Sequence, residues 1–182
     1  MRVYLLPGIV TLILPVAVLA QERQATLIPD QSMIMYKLSH PLHHIEATSK
    51  SAAYRLTVDP SKGTITSVSA NVDVTTFDSG NSNRDSHAME VIDALTYPDV
   101  TFTSSSVAQK GDSVTVTGKL TFHGVTKDVV VKGISKWSQK GVELHGGFDI
   151  SLTEFRVDRP SLLMIPVDDD LKFLVDAAFR WD

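Results

Sequence analysis

The sequence predicts an all-β protein: an extended eight-stranded antiparallel barrel with a short helix in one connection. Three observations point there. Val (21), Ser (18) and Thr (16) supply 55 of the 182 residues, and β-branched Val and Thr suit the half-buried pleated surface of a strand. Apolar and polar residues alternate with a period of two over long stretches. Turns containing Gly, Pro or Asp separate those stretches at short intervals. A sheet of this size removes its unpaired edges by closing on itself. About eight strands leave an interior that fills with side chains or holds one elongated small ligand.

The first segment is an address. Residues 1–20 read MRVYLLPGIVTLILPVAVLA, with one cation (Arg2), an apolar stretch and small residues at Val18-Leu19-Ala20, the layout of a cleaved secretory signal peptide. Pro7, Gly8 and Pro15 disfavour a regular spanning helix, and no basic cluster follows. The chain therefore divides into a signal peptide, 1–20, and one barrel domain, 21–182, exported to the periplasm or secreted. Beyond Ala20 it has 162 residues with 16 Lys and Arg against 21 Asp and Glu, a net charge of −5.

Residues 31–39 and 51–58 are weakly patterned strands, set off by Pro29-Asp30 and Asp59-Pro60. Between them His40, His43 and His44 stand in the run HPLHH. This run reads as a turn after the first strand, with the imidazoles in solvent or stacked, or as a zinc or copper site of two or three imidazoles. Val68, Ala70, Val72 and Val74 then face one way, and Ser67, Ser69, Asn71 and Asp73 the other. Residues 79–98 break the alternation: turn formers come first, then Ala88, Val91, Ile92 and Leu95 at helical spacing predict one or two turns of helix, closed by Pro98. Residues 99–107 make the next strand. Val114, Val116, Gly118, Leu120 and Phe122 alternate with Thr115, Thr117, Lys119 and Thr121; 127–136 is a weaker strand; Val142, Leu144, Gly146, Phe148 and Ile150 alternate with Glu143, His145, Gly147 and Asp149. After an irregular stretch at 155–170, Leu171, Phe173, Val175, Ala177, Phe179 and Trp181 form the last apolar face.

Several chemistries are excluded. With no cysteine there is no disulfide scaffold, thiolate zinc site, iron–sulfur centre or Cys nucleophile. A formal charge of −4 over the whole chain gives no general drive toward nucleic acid. No Gly-x-Ser-x-Gly elbow, phosphate loop, nucleotide fingerprint or HExxH helix occurs, so no enzymatic reading has support. Asp168, Asp169 and Asp170 lack the pattern of a calcium loop and read as a solvated loop. His123 and His145 are isolated on strands and read as satisfied structural residues.

An apolar barrel interior in an exported protein implies a dry core or an apolar ligand. Phe102, Leu120, Phe122, Phe148, Phe173 and Phe179 fall on the apolar faces, where core packing and tunnel lining require the same sequence; the small Gly118, Gly146 and Ala177 leave room for a tunnel. Arg84, Asp85 and His87, at the loop-to-helix junction, read as a polar mouth in which Arg84 and His87 hydrogen-bond a phosphate or quinone carbonyl and Asp85 orients one of them. They read equally as a structural cap, with Asp85 capping the helix and pairing with Arg84.

Two segments add a resemblance. NSNRDSHAMEVIDALTYPDVTFTS (81–104) and VTGKLTFHGVTKDVVVKG (116–133) resemble the signatures of the YceI-like family of lipocalin-like, polyisoprenoid-binding proteins. The resemblance spans nearly the whole chain after residue 20. It implies an extended eight-stranded antiparallel barrel and an apolar tunnel for an isoprenoid chain, such as a polyprenyl phosphate or a quinone tail. It also implies export and no catalysis, with no required cofactor beyond the bound isoprenoid lipid. The expected partners are that lipid and a transient membrane contact, and not nucleic acid. The chain departs from the family where it has no Gly-x-Phe after the first strand, and where Ala94-Leu95 replaces paired Phe. Two other readings remain at this point: a metal-binding exported protein using His40, His43 and His44, and an outer-membrane-type barrel. Against the latter stand 7% aromatics without evident girdles and a Trp181-Asp182 terminus.

Overall fold

The computed structural model describes residues 21–182, so the signal-peptide segment lies outside the described residues. Ten strands form one antiparallel sheet: β1 (Arg23–Leu27), β2 (Met33–His40), β3 (His43–Ser49), β4 (Ala53–Asp59), β5 (Thr64–Asp73), β6 (Asp99–Lys110), β7 (Ser113–Phe122), β8 (Val125–Trp137), β9 (Gly141–Ser151) and β12 (Asp170–Arg180). The one α-helix among the described residues, α1 (Ser82–Val91), joins β5 to β6, and a small hairpin of β10 (Ser161–Leu162) and β11 (Ile165–Pro166) interrupts the connection from β9 to β12.

The ten strands occupy eight positions around a closed barrel. One edge of β12 pairs with β2 along Leu171–Asp176 and with β1 at Phe179 and Arg180; β3 continues the wall beside β2, and β4 beside β1. The break between β1 and β2 falls at Pro29, which has no N–H to give the ladder. There Ser32 Oγ donates to the Ile28 carbonyl (2.8 Å) and accepts from the Ala178 N–H (3.1 Å), restoring the bonds that the break removes. The sequence showed neither β1 nor β3. β1 is five residues long, and β3 begins inside the histidine run, where the residues do not alternate by polarity.

Alternation places the apolar set inside. On β7, Val114, Val116, Gly118, Leu120 and Phe122 are all buried, while Ser113 and Lys119 are exposed. On β8, Thr126, Asp128, Lys132 and Lys136 are exposed. The outer face mixes Thr, Lys and Asp with the exposed Val130, Ile134 and Leu174, whereas a barrel that crosses a bilayer carries a continuous apolar band outside. The buried side chains form two clusters stacked along the axis. One, around Phe122, Phe155, Leu171 and Phe173, lies toward α1; the other, around Leu56, Val58, Val142 and Phe179, lies at the opposite end.

The helix is longer than the one or two turns its composition suggested, because it starts at Ser82. Asn81 caps it by accepting from the Arg84 N–H (3.2 Å). Leu95 is not part of it. Asp93 adopts a left-handed conformation (φ 47°), the chain turns, and Leu95 ends fully exposed.

Candidate ligand-binding cavity

Side chains from the strands and from α1 enclose a cavity of about 260 Å³ with an almost wholly apolar wall. It runs along the barrel axis. At one end the wall includes Leu38 and Ile45 of the β2–β3 hairpin, Pro160, and Arg84, His87, Ala88 and Val91 of α1. His87 lines the cavity and is also 65% exposed, so this end opens to solvent. At the other end, beyond Ile65, Val114 and Phe179, the rings of Trp137 and Trp181 pack 5.8 Å apart and close the barrel. The result is a blind tunnel with its mouth beneath α1.

Of the residues singled out from the sequence, Phe102, Leu120, Phe122, Phe148, Phe173, Phe179, Arg84 and His87 line the cavity; Asp85 does not. Phe148 and Phe173 stack at 5.0 Å, and Phe122 packs on Phe155 at 5.8 Å. Gly146 and Ala177 lie in the wall. Gly118 was expected to leave room and does not. A side chain there would meet the Thr103 carbonyl at 2.5 Å and the Phe102 ring at 2.6 Å, so the space belongs to Phe102. The wall residues that sequence missed include Ile34, Tyr36 and Leu38 of β2, Ile45 of β3 and Tyr54 of β4. Tyr36 and Tyr54 are the chief ones, and the polar tips of both conceal their apolar faces in an alternation pattern.

The mouth is organised by one serine. Arg84 Nε donates to Ser79 Oγ (2.8 Å) and its Nη2 to the Ser79 carbonyl (2.7 Å), while Asp85 accepts from the Ser79 N–H (3.2 Å) and hydroxyl. The cap and the Arg84–Asp85 pair read from sequence are thus replaced: Asn81 caps, and both charged residues grip the loop before α1. Tyr36 lies close by, its ring 5.2 Å from that of Phe77. Burial pushes the Tyr36 phenol above its ordinary range, Asp85 adds to this and Arg84 opposes it. Tyr54 sits at mid-depth, between the two core clusters, and its hydroxyl has no hydrogen-bond partner among the described residues. Burial, with help from Asp176, holds that phenol neutral far into the alkaline range.

The histidines do not converge. His40 is buried; the Leu42 N–H donates to its Nδ1 (3.2 Å), which leaves Nε2–H to donate to the Ile165 carbonyl (3.0 Å). The His43 ring lies 5.0 Å from it at a tilt of 37°, and exposed His44 contacts Ser39 Oγ (3.3 Å). Among the described residues no three His, Asp or Glu side chains are grouped to hold a metal ion. His40 was expected in a turn, in solvent or stacked; it is instead the buried last residue of β2, its ring tilted 37° to that of His43, and it ties two hairpins together. His145 pairs with Asp176 at 2.7 Å on the outer wall.

The two signature segments meet in space. The Tyr97 ring of the first packs 4.8 Å from the His123 ring of the second and over Gly124, where any Cβ would lie 2.6 Å from it. The profile of the YceI-like domain matches residues 26–179, the whole barrel from β1 through nearly all of β12. The chain belongs to the YceI-like family. Protein YceI of Escherichia coli O157:H7 is 32% identical over 98 residues, covering 50% of this chain and 51% of that protein. Protein YceI of Salmonella arizonae is 29% identical over 109 residues, 56% of this chain and 57% of that one. The match thus spans about half the length of these curated relatives. Among solved structures, Burkholderia cenocepacia BcnA superposes with a TM-score of 0.76 at 24% identity, over 84% of this chain and 99% of its own. A polyisoprenoid binding domain from Saccharophagus degradans, implicated in plant cell wall breakdown, gives 0.64 at 10% identity over 87% and 98%. At those identities the likeness is one of fold, the closed eight-position YceI-like barrel. In that barrel Tyr97 and the His123-Gly124 turn pack against each other.

Proposed function

We propose that this YceI-like protein is an exported carrier that holds one isoprenoid lipid, of the polyprenyl phosphate or isoprenoid quinone type, with its chain in the barrel and its polar end at the mouth. The observation that carries this reading is the blind apolar tunnel of about 260 Å³. A cavity walled by Val, Leu, Ile and Phe gains nothing from water and binds a hydrocarbon. The wall is broad and aromatic, with Phe148 and Phe173 stacked beside the path, which suits a methyl-branched chain. At the mouth the exposed His87, with Nδ1 3.7 Å from the Glu90 carboxylate, can meet a phosphate or carbonyl by turning from that carboxylate, while Arg84 can do so only by leaving Ser79. On this reading the protein acts by binding, through the apolar wall of the tunnel, and needs no cofactor besides the lipid. The relatives' family membership and the polyisoprenoid-binding neighbour support the same class of ligand.

Fluorescence titration with geranylgeranyl phosphate and with palmitate, two chains of sixteen backbone carbons, tests the reading. Saturable binding of the prenyl chain with weaker binding of the straight one is expected. Equal affinity, or no binding of either, contradicts it. Release of the protein by osmotic shock without detergent is the expected mark of export; retention in the cytoplasm overturns that part.

A further inference from the structure

The barrel's two ends differ in a way that holding a lipid does not by itself require. At the blind end the turns are Asp59–Gly63, Lys110–Asp112 and Ser138–Gly141, polar and lysine-bearing, and none of the exposed large apolar residues lies in them. At the mouth end Leu42 (60% exposed), Leu95 (100%), Leu163 (74%) and Met164 (95%) stand in water at the tips of three connections. Solvent-facing apolar residues scattered singly are ordinary, but a group of them around one opening marks an interaction surface.

The hairpin tip is specific. Leu163 and Met164 form the two-residue turn between β10 and β11, and both have positive φ (52° and 67°). Such a turn favours Asn-Gly, since only Gly and Asn accept left-handed backbone cheaply. Two large apolar side chains occupy it instead, at a cost to folding and left exposed by the described residues. The hairpin does not sway freely. Buried His40 donates to the Ile165 carbonyl while accepting from the Leu42 N–H, and the Asp168 N–H donates to the Ser39 carbonyl (2.8 Å). The Leu42 tip and the Leu163-Met164 tip are thereby set side by side, next to Pro160 in the tunnel wall.

We propose that these tips are a membrane-docking device: Leu42, Leu163 and Met164 enter the boundary between headgroups and acyl chains of a bilayer and press the tunnel mouth against it, so that a lipid passes between membrane and barrel without crossing water. This rests on the carrier reading for its purpose, but its observable is separate. The occupant is a bilayer because the patch consists of projecting tips around an opening, not a flat face, and because the opening leads to an apolar tunnel. Electrostatics is not the attraction. Glu90, Asp93 and Asp158 are exposed at this end and outnumber the exposed Arg156, whereas Arg84 and Arg159 are turned onto backbone carbonyls (Arg159 Nε to Val167, 2.8 Å). Contact therefore depends on apolar insertion and is weak and reversible.

The test is flotation with vesicles of phosphatidylcholine and phosphatidylethanolamine, comparing the protein with its L163N/M164G variant. Asn-Gly fits positive φ at both positions, so the variant melts no lower than the parent, and a failure to fold does not cloud the result. The parent should float, the variant's bound fraction should fall at least about tenfold, and about 0.5 M salt should leave the parent's binding unchanged. Absence of flotation by the parent, equal flotation of the variant, or loss in salt overturns the proposal. So does parent self-association that the variant abolishes, which would make a second copy the cover. Uptake of geranylgeranyl phosphate from solution is measured alongside. If both proteins take it up and neither floats, docking fails and the carrier reading stands; if the parent floats and neither takes it up, the reverse holds.

Discussion

At the scale of single residues, polar groups inside the barrel decide more than the apolar ones do. The Tyr54 hydroxyl is buried without a partner, and an unmet buried donor costs about 1–3 kcal/mol. Tyr54→Phe should therefore raise stability by about 1 kcal/mol in chemical denaturation, although it deletes a polar group of the native protein. Asp169 is the opposite case. The Ser151 hydroxyl and then the Thr153 N–H hold its carboxyl below the usual carboxylate range. A depressed folded-state pKa contributes stability above the unfolded value of about 3.9 and loses it as pH falls through the folded value. Asp169→Asn should cost about 1 kcal/mol at pH 7, discounted for its partial exposure, and the cost should shrink as pH falls below the unfolded value in denaturant titrations across that range. Sequence named Arg84, Asp85 and His87 but not their arrangement. Ser79, the shared partner of Arg84 and Asp85, is a common loop residue type, and nothing in a one-dimensional pattern marks it as the point on which two charged side chains close.

At the scale of elements, the long strands were legible and the short ones were not. β7, β9 and β12 alternate over ten or eleven residues, enough for the period to declare itself. β1 and β3 exist because neighbours offer free edges, which is a property of the barrel and not of RQATL or HHIEATS. The helix was recognised from its apolar spacing, but its start depended on a cap at Asn81 and its end on a left-handed Asp93, so Leu95 was assigned to the wrong surface. Asn81→Ala should cost about 1 kcal/mol and speed release of a bound lipid, read as a faster off-rate with little change in the barrel's circular dichroism. Gly118 shows how close the strands run. A Cβ there would lie 2.5 Å from the Thr103 carbonyl, beside the irregularity in the β6–β7 register. Gly118→Ala should destabilise by about 1–3 kcal/mol, measurable as a lowered melting temperature.

At the scale of the whole molecule, closure of the sheet does three things at once. It removes edge strands, turns a period-two sequence into an apolar bore with a polar exterior, and gives the bore one closed and one open end. The closed end makes length a variable: a chain entering beneath α1 can go no deeper than the Trp137–Trp181 pair. Ala70 lies in the wall at mid-depth, paired with Tyr54 and Phe102 across the sheet. Ala70→Phe should leave the fold intact and shorten the longest prenyl chain that binds, seen as retained binding of a ten-carbon probe and loss of the longer ones. The central claim is occupancy of the tunnel by one isoprenoid chain, and native mass spectrometry of protein released gently from an intact cell envelope addresses it most directly. The expected spectrum shows one added mass per protein, matching a prenyl lipid, that disappears in Ala70→Phe. Protein that carries no lipid, and stays free after exposure to prenyl phosphate and to isoprenoid quinone, would contradict it.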